Sequence, residues 1–287
     1  MYKIKQAIKI MGIMASFLIL ATFLLLPAAF SEADADPILA NHSEDTTGAF
    51  KDEYFLGVVY GILRKDRQEP LRASEVAEIT MLDLSERMVV HSLAGIEYFT
   101  DLEALYCGSN QLTELDVTKN LALTQLDCSG NALTELDVTN NVALESLDCA
   151  DNRLTEIDVM QNVLLEEFSC SNNPLTEIDI TNNPALREIW CGNNQLTEIN
   201  LENNLALKKL FCWDNQLTEL DVTNNPLLTS LRCSNNQLTE LDVSNNPELK
   251  SLYCSNNQLR KLDLTNNVAL KWIEYDGNLL TELDVKK

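Results

Sequence analysis

The sequence predicts an α/β solenoid with parallel β-strands on two arms and a short helical cap at its N-terminal end. Three observations predict it. Cysteine recurs every 21 residues from Cys107 to Cys254, and Tyr275 takes the ninth place in that series. Asparagine keeps the same period from Asn110 to Asn278. Between them runs the unit L-x-x-L-x-C-x-x-N-x-L-T-E-L-D-V-T-x-N, whose halves resemble each other: Leu102, Leu105, Cys107 and Asn110 correspond to Leu112, Leu115, Val117 and Asn120. A fixed period of this length marks a chain that stacks one supersecondary unit on the next, because a single unit cannot bury its own apolar face.

Ahead of the repeats the chain changes character three times. Lys3, Lys5 and Lys9 precede an uncharged apolar run from Ile10 to Leu26, and Ala33-Asp34-Ala35 stands before Asp36. This layout predicts a secretory signal over residues 1–35; if it is retained, the apolar run becomes an N-terminal membrane anchor. Either outcome leaves the body secreted or at the cell surface. Residues 36–48 carry few large apolar groups and read as a disordered linker. Residues 49–101 read as a helical cap and a first irregular coil. Phe55, Val58, Val59, Ile62 and Leu63 fall at helical spacing and predict one apolar stripe over about four turns. A second short helix is expected around Ser74 to Glu78, before a strand from Thr80 to Leu84.

From residue 102 to 287 the repeats predict ladders, in which one residue type per level projects the same way. Parallel strands lie about 4.8 Å apart, so leucines stack inward, each contributing on the order of 1.5–3 kcal/mol when buried. The two asparagine ladders are expected to satisfy backbone groups at the corners, with both the donor and the acceptor of each amide in use. The cysteines alternate inward as small apolar fillers. Neighbouring thiols stand too far apart and too parallel for an unstrained disulfide, and a straight row does not converge on a metal tetrahedron. Outward on the second arm, Glu114 and Asp116 head two carboxylate columns. Either calcium sits between coils, or each Asp bonds to backbone two residues on; the second is favoured because no glycine-rich calcium loop is present. After Val285 the next asparagine corner is missing, which predicts that Leu280, Leu283 and Val285 lack a covering coil.

These residues resemble the leucine-rich repeat family, specifically the bacterial subclass with a nested pattern and a cysteine at the third apolar position. The resemblance runs almost unbroken from Leu102 to Val285. The helix leading into Ile79-Thr80-Met81-Leu82-Asp83-Leu84 is similar to the N-terminal cap of internalin-type proteins. The unit is one residue shorter than the usual internalin repeat. The resemblance implies a right-handed solenoid.

Function classes narrow by charge and by variation. The 287 residues carry 44 acidic against 21 basic side chains, a net charge of −23, which repels a polyanion and argues against nucleic acid. His42 and His91 are the only histidines and neither has a catalytic companion in the sequence, so an enzyme is not expected. No cofactor is expected beyond the calcium alternative. The second arm hardly changes from coil to coil, whereas the position before each cysteine reads Tyr106, Asp127, Asp148, Ser169, Trp190, Phe211, Arg232, Tyr253 and Glu274. Trp, Tyr and Arg are the types most enriched where partners bind. Trp190, Phe211, Trp213, Arg232, Tyr253 and Trp272 are therefore the candidate ligand-binding residues of an exported binding module. An extracellular protein is the expected partner, and carbohydrate is the alternative, since aromatic faces also stack on sugars. The competing reading is that these rings merely cover one another across strands.

Overall fold

The computed structural model describes residues 45–284. The expected signal segment, most of the linker and Val285 lie outside the described residues. Asp45 to Gly48, assigned by composition to the linker, belong instead to the packed cap. Asp45 bridges to Arg72, and Thr46 is buried with its N–H and hydroxyl both donating to the Leu71 carbonyl, at 2.8 and 3.2 Å. A polar side chain can be buried once its hydrogen bonds are met, which composition cannot foresee.

Helix α1 (Glu53–Leu63) begins at Asp52, whose Oδ1 accepts from the N–H groups of Tyr54 and Phe55, both at 2.9 Å. The other oxygen of Asp52 accepts the His91 N–H at 2.8 Å and ties the cap to the first coil. The helix stops at Arg64, which adopts the left-handed conformation (φ 53°). Its buried stripe is rotated from the expected one: Phe55, Val59 and Tyr60 are inside, while Ile62 is exposed. Tyr60 can enter because its hydroxyl donates to the Glu69 carbonyl at 2.8 Å. Helix α2 (Ala73–Ala77) follows, its Glu75 accepting from the Arg72 N–H at 3.0 Å. Phe50, Phe55 and Phe99 form a ring cluster with centroids 5.3–6.2 Å apart that closes the end of the core.

The coils then supply β1 (Met81–Asp83), β2 (Ala104–Tyr106), β3 (Gln125–Asp127), β4 (Ser146–Asp148), β5 (Glu167–Ser169), β6 (Glu188–Trp190), β7 (Lys209–Phe211), β8 (Ser230–Arg232), β9 (Ser251–Tyr253), β10 (Lys261–Asp263), β11 (Trp272–Glu274) and β12 (Glu282–Asp284). Ten of these make one parallel sheet in the order β1 to β9 followed by β11. From β2 onward the register is the repeat length itself, so Leu105, Leu126 and Leu147 face one another in turn. The sheet lies on the cysteine arm.

The second arm does not match it. Only β10 and β12 pair there as strands among the described residues, in contrast to the two ladders expected. Elsewhere a hydrogen bond at the start of the arm, such as Gln195 N–H to Leu175 O at 2.8 Å, joins a level to the one before, except at Pro174, which has no N–H to give. Outward on this arm, Asp179 Oδ1 accepts both the N–H and the hydroxyl of Thr181, at 3.0 and 2.7 Å. The same arrangement recurs at Asp116, Asp137, Asp221 and Asp263. Among the described residues no group of three or more His, Cys, Asp or Glu is gathered as a metal site.

The two asparagine ladders differ. At the first corner Asn194 donates to the carbonyls of Cys170, Cys191 and Gly192 at 3.1, 3.1 and 3.4 Å, and accepts from the Leu175 N–H at 3.1 Å. At the second corner Asn183 donates to Val159 O and Asn162 O, both at 2.9 Å, but its Oδ1 is buried without a partner. Eight consecutive second-corner asparagines share that orphaned oxygen, so the expectation of full satisfaction fails there. The turn itself is responsible. The N–H groups of Asn183 and Leu186 already close onto Ile180 O and Asn183 O, and that of Thr181 is held by Asp179. The first corner instead turns through a left-handed residue just before its asparagine, filled by Ser109, Gly130, Asp151, Asn172, Asn193, Asp214, Asn235, Asn256 and Gly277. Asn, Asp and Gly tolerate that conformation best.

All eight cysteines are free and fully buried in the column between the leucines. Burial pushes their thiols up, to about 12 at Cys191 and Cys254, which keeps them protonated and unreactive. At the far end of the solenoid Ile273, Tyr275 and Leu280 are only partly buried; the side chains of Leu283 and Val285 lie outside the described residues.

Candidate recognition surface

Alternation along each three-residue strand puts its middle residue inside and its two flanking residues on the outer face of the sheet. The register then aligns Ser169, Trp190, Phe211, Arg232, Tyr253 and Glu274 in one column. Four of the six candidate residues meet there, and Trp213, two positions beyond Phe211, joins them through its ring contact. Trp190 and Phe211 pack edge to face with centroids 5.9 Å apart, and Phe211 lies 6.4 Å from Trp213. The Arg232 guanidinium sits between two rings, its Cζ 5.0 Å from the Phe211 centroid and 4.7 Å from that of Tyr253. Each such cation–π contact contributes about 0.5–1 kcal/mol at a solvent-facing site.

Trp272 stands apart. It begins β11 opposite Ser251, in the neighbouring column, and is 67% exposed without a ring contact to the other five. The four clustered rings are half-buried, so mutual covering and a solvent-facing surface hold at once. The Trp190 and Phe211 planes stand at 62° and those of Phe211 and Trp213 at 54°, so these three rings do not form a coplanar platform.

Three features of this face escape a reading of single residues. Gly192 is the seat of Trp213: a Cβ there would fall 2.4 Å from the indole Cδ2 and Cε2, so the ring lies directly on the glycine backbone of the preceding coil. The signal existed in sequence as a glycine 21 positions before a tryptophan. Ser171, on the next coil toward the N-terminus, is buried and its hydroxyl has no partner. Toward the same end the face turns acidic, with Asp127 directly opposite Asp148. Burial raises the Asp148 carboxyl above its ordinary range, and the neighbouring Asp127 and Asp151 add to the rise against the opposing hydrogen bonds from Ala150 and Ser169.

Comparison with known proteins agrees with this geometry. A family model described as Leucine Rich repeats (2 copies) matches residues 163–203. The functional domain of InlJ from Listeria monocytogenes, a structure that includes a cysteine ladder, superposes with a TM-score of 0.62 at 31% identity over 82% of this chain. This chain has a leucine-rich repeat fold similar to that of InlJ. It spans 61% of the InlJ chain's length. Internalin C2 of Listeria monocytogenes superposes with a TM-score of 0.64 at 19% identity, covering 86% of this chain and 98% of that one. The leucine-rich repeat protein LIC12759 of Leptospira interrogans gives 0.52 at 23% identity over 67% of this chain and 62% of its own. At those identities the likeness is one of fold alone. None of the curated proteins compared matches the chain. No helix among the described residues is long and apolar enough to cross a membrane.

Proposed function

We propose that this repeat protein is an exported, non-enzymatic binding module that takes a protein partner on the outer face of its sheet, through Trp190, Phe211, Trp213, Arg232 and Tyr253. The observation that carries the reading is the ring and guanidinium cluster spanning four adjacent strands. Its residues are the types that dominate binding energy, held in place before any partner arrives, so little entropy is lost on contact. A four-strand span is about 14 Å, the width of a helix or a loop. Tilted rings offer edges and faces to the mixed chemistry of a polypeptide, whereas a sugar prefers one flat surface. Trp272 then acts as an outlying contact.

The test compares the chain with a Trp190→Ser/Phe211→Ser variant, measuring partner capture from extracellular protein alongside thermal unfolding. Retained fold with lost capture supports the proposal. Lower stability with undiminished capture assigns the rings to sheet stabilisation alone, and turnover of any substrate by the purified chain overturns the non-enzymatic reading.

A further inference from the structure

A different side of the solenoid carries a second feature. The residue or two after each second-corner asparagine is apolar and outward: Leu121, Val142, Val163, Leu164, Leu205 and Leu227 are 41–59% exposed, and Val268 extends the line. Half of the exposed large hydrophobics among the described residues sit on this one corner. No helix or strand covers it, and in a body this acidic an apolar ridge about 34 Å long calls for a partner.

The column beside the ridge, just ahead of the sheet, is sorted by charge. Glu103, Glu145 and Glu166 occupy its N-terminal half, and Arg187, Lys208, Lys250 and Lys271 its C-terminal half, with Thr124 and Thr229 the uncharged members. All seven charged residues are at least partly exposed. A twofold axis placed between the coils of Glu166 and Arg187 would set Glu166 against Arg187, Glu145 against Lys208, Thr124 against Thr229 and Glu103 against Lys250 of a second copy. The same operation sets Val142 against Leu205 and Val163 against Pro184. Two antiparallel copies share one rise per coil, so ridge stays in step with ridge from Leu121 to Leu227 on both copies, which a partner of other spacing would not do. Glu166 already reaches Arg187 of its own chain at 3.2 Å, and Glu188 in the adjoining column is neutralised by Lys209 at 2.9 Å, so neither obstructs the pairing.

From this charge order and the bare apolar line we infer that the second-corner edge is a self-association surface, occupied by an antiparallel second copy of this chain. Its projected area, about 34 Å by roughly 12 Å on each copy, is small for a protein interface, so association belongs in the micromolar range. The repulsion between two strongly acidic bodies is screened within about 8 Å at physiological salt, and contacts at the seam escape most of it.

Sedimentation velocity of the purified full chain from about 1 to about 200 µM reads the equilibrium. Glu145→Lys and Lys208→Glu each replace two attractions by two repulsions per dimer, and each is expected to weaken association at least roughly tenfold. The double variant Glu145→Lys/Lys208→Glu restores opposite charges and is expected to recover it. Leu205→Asp is expected to abolish it, with unchanged circular dichroism because the side chain is exposed. A monomer at every concentration overturns the inference, as does a dimer indifferent to the single reversals or not recovered by the swap.

Discussion

Replacing Asn194 and Asn183 by alanine, one at a time, separates the two asparagine ladders by energy. Both amides are buried and lose the same three heavy atoms, so the cavity left behind is common to both. In Asn194→Ala the carbonyls of Cys170 and Cys191 keep second donors in Asn173 and Asn215, at 3.1 and 2.9 Å. The Leu175 N–H has no such reserve, because its acceptor is the Asn194 Oδ1. An orphaned buried N–H costs about 1–3 kcal/mol, and the weakened bonds bring the total to about 3–4 kcal/mol. In Asn183→Ala two donors are lost, but Val159 O and Asn162 O each retain a backbone partner, and an acceptor that had none disappears. Release of that acceptor returns about 1 kcal/mol against about 2 lost, so the net change is about 1 kcal/mol. The expected gap between the variants is therefore about 2–3 kcal/mol. Urea unfolding followed by circular dichroism measures it, and the comparison is sound because the two sites lie half a coil apart and unfold in the same cooperative stretch. Equal costs, or a larger cost at Asn183, would refute the assignment of unequal satisfaction to the two corners.

Gly192→Ala places a methyl group against the Trp213 indole and is expected to displace the ring at a cost of about 1–3 kcal/mol, seen as a shift in tryptophan emission and weaker partner binding. For Asp148, whose folded pKa stands above its unfolded value, stability is lost as pH rises through that interval; Asp148→Asn should raise the unfolding free energy at pH 7 by about 0.5–1 kcal/mol, with no gain near pH 3. The opposite sign holds at Asp137, Asp179, Asp221 and Asp263, where hydrogen bonds from the threonine two residues on hold the carboxyl low. Their contribution is present above the unfolded pKa and fades as pH falls through the folded one, so Thr181→Ala should flatten the acid limb of a stability profile without moving its neutral plateau upward. The buried thiols should give no reaction with a thiol reagent at pH 8 in the native chain, and all eight should react after denaturation; disulfides would appear as missing thiols.

Much of this architecture was legible in the letters because a solenoid repeats its geometry at every level. A period of 21 states which residue stands above which, so the inward leucines and cysteines, the corner asparagines and the outward column of Trp190, Phe211, Arg232 and Tyr253 follow from counting alone. Trp272 shows the limit of counting: it shares an arm with the others but not their column. Ile62 and Tyr60 show another, since the helical stripe admits either and the choice rests on the Glu69 carbonyl waiting for the tyrosine hydroxyl.

Sequence by itself determined the stacking, the direction of each ladder and the candidate face. Only the tertiary structure decided that the second arm is a chain of turns, that its asparagine oxygens go without donors, and that Trp213 rests on Gly192 while Arg232 lies between two rings. The physical reason is that periodicity assigns residues to levels, whereas a hydrogen bond or ring contact depends on where the backbone of the adjoining level leaves its N–H groups and its space.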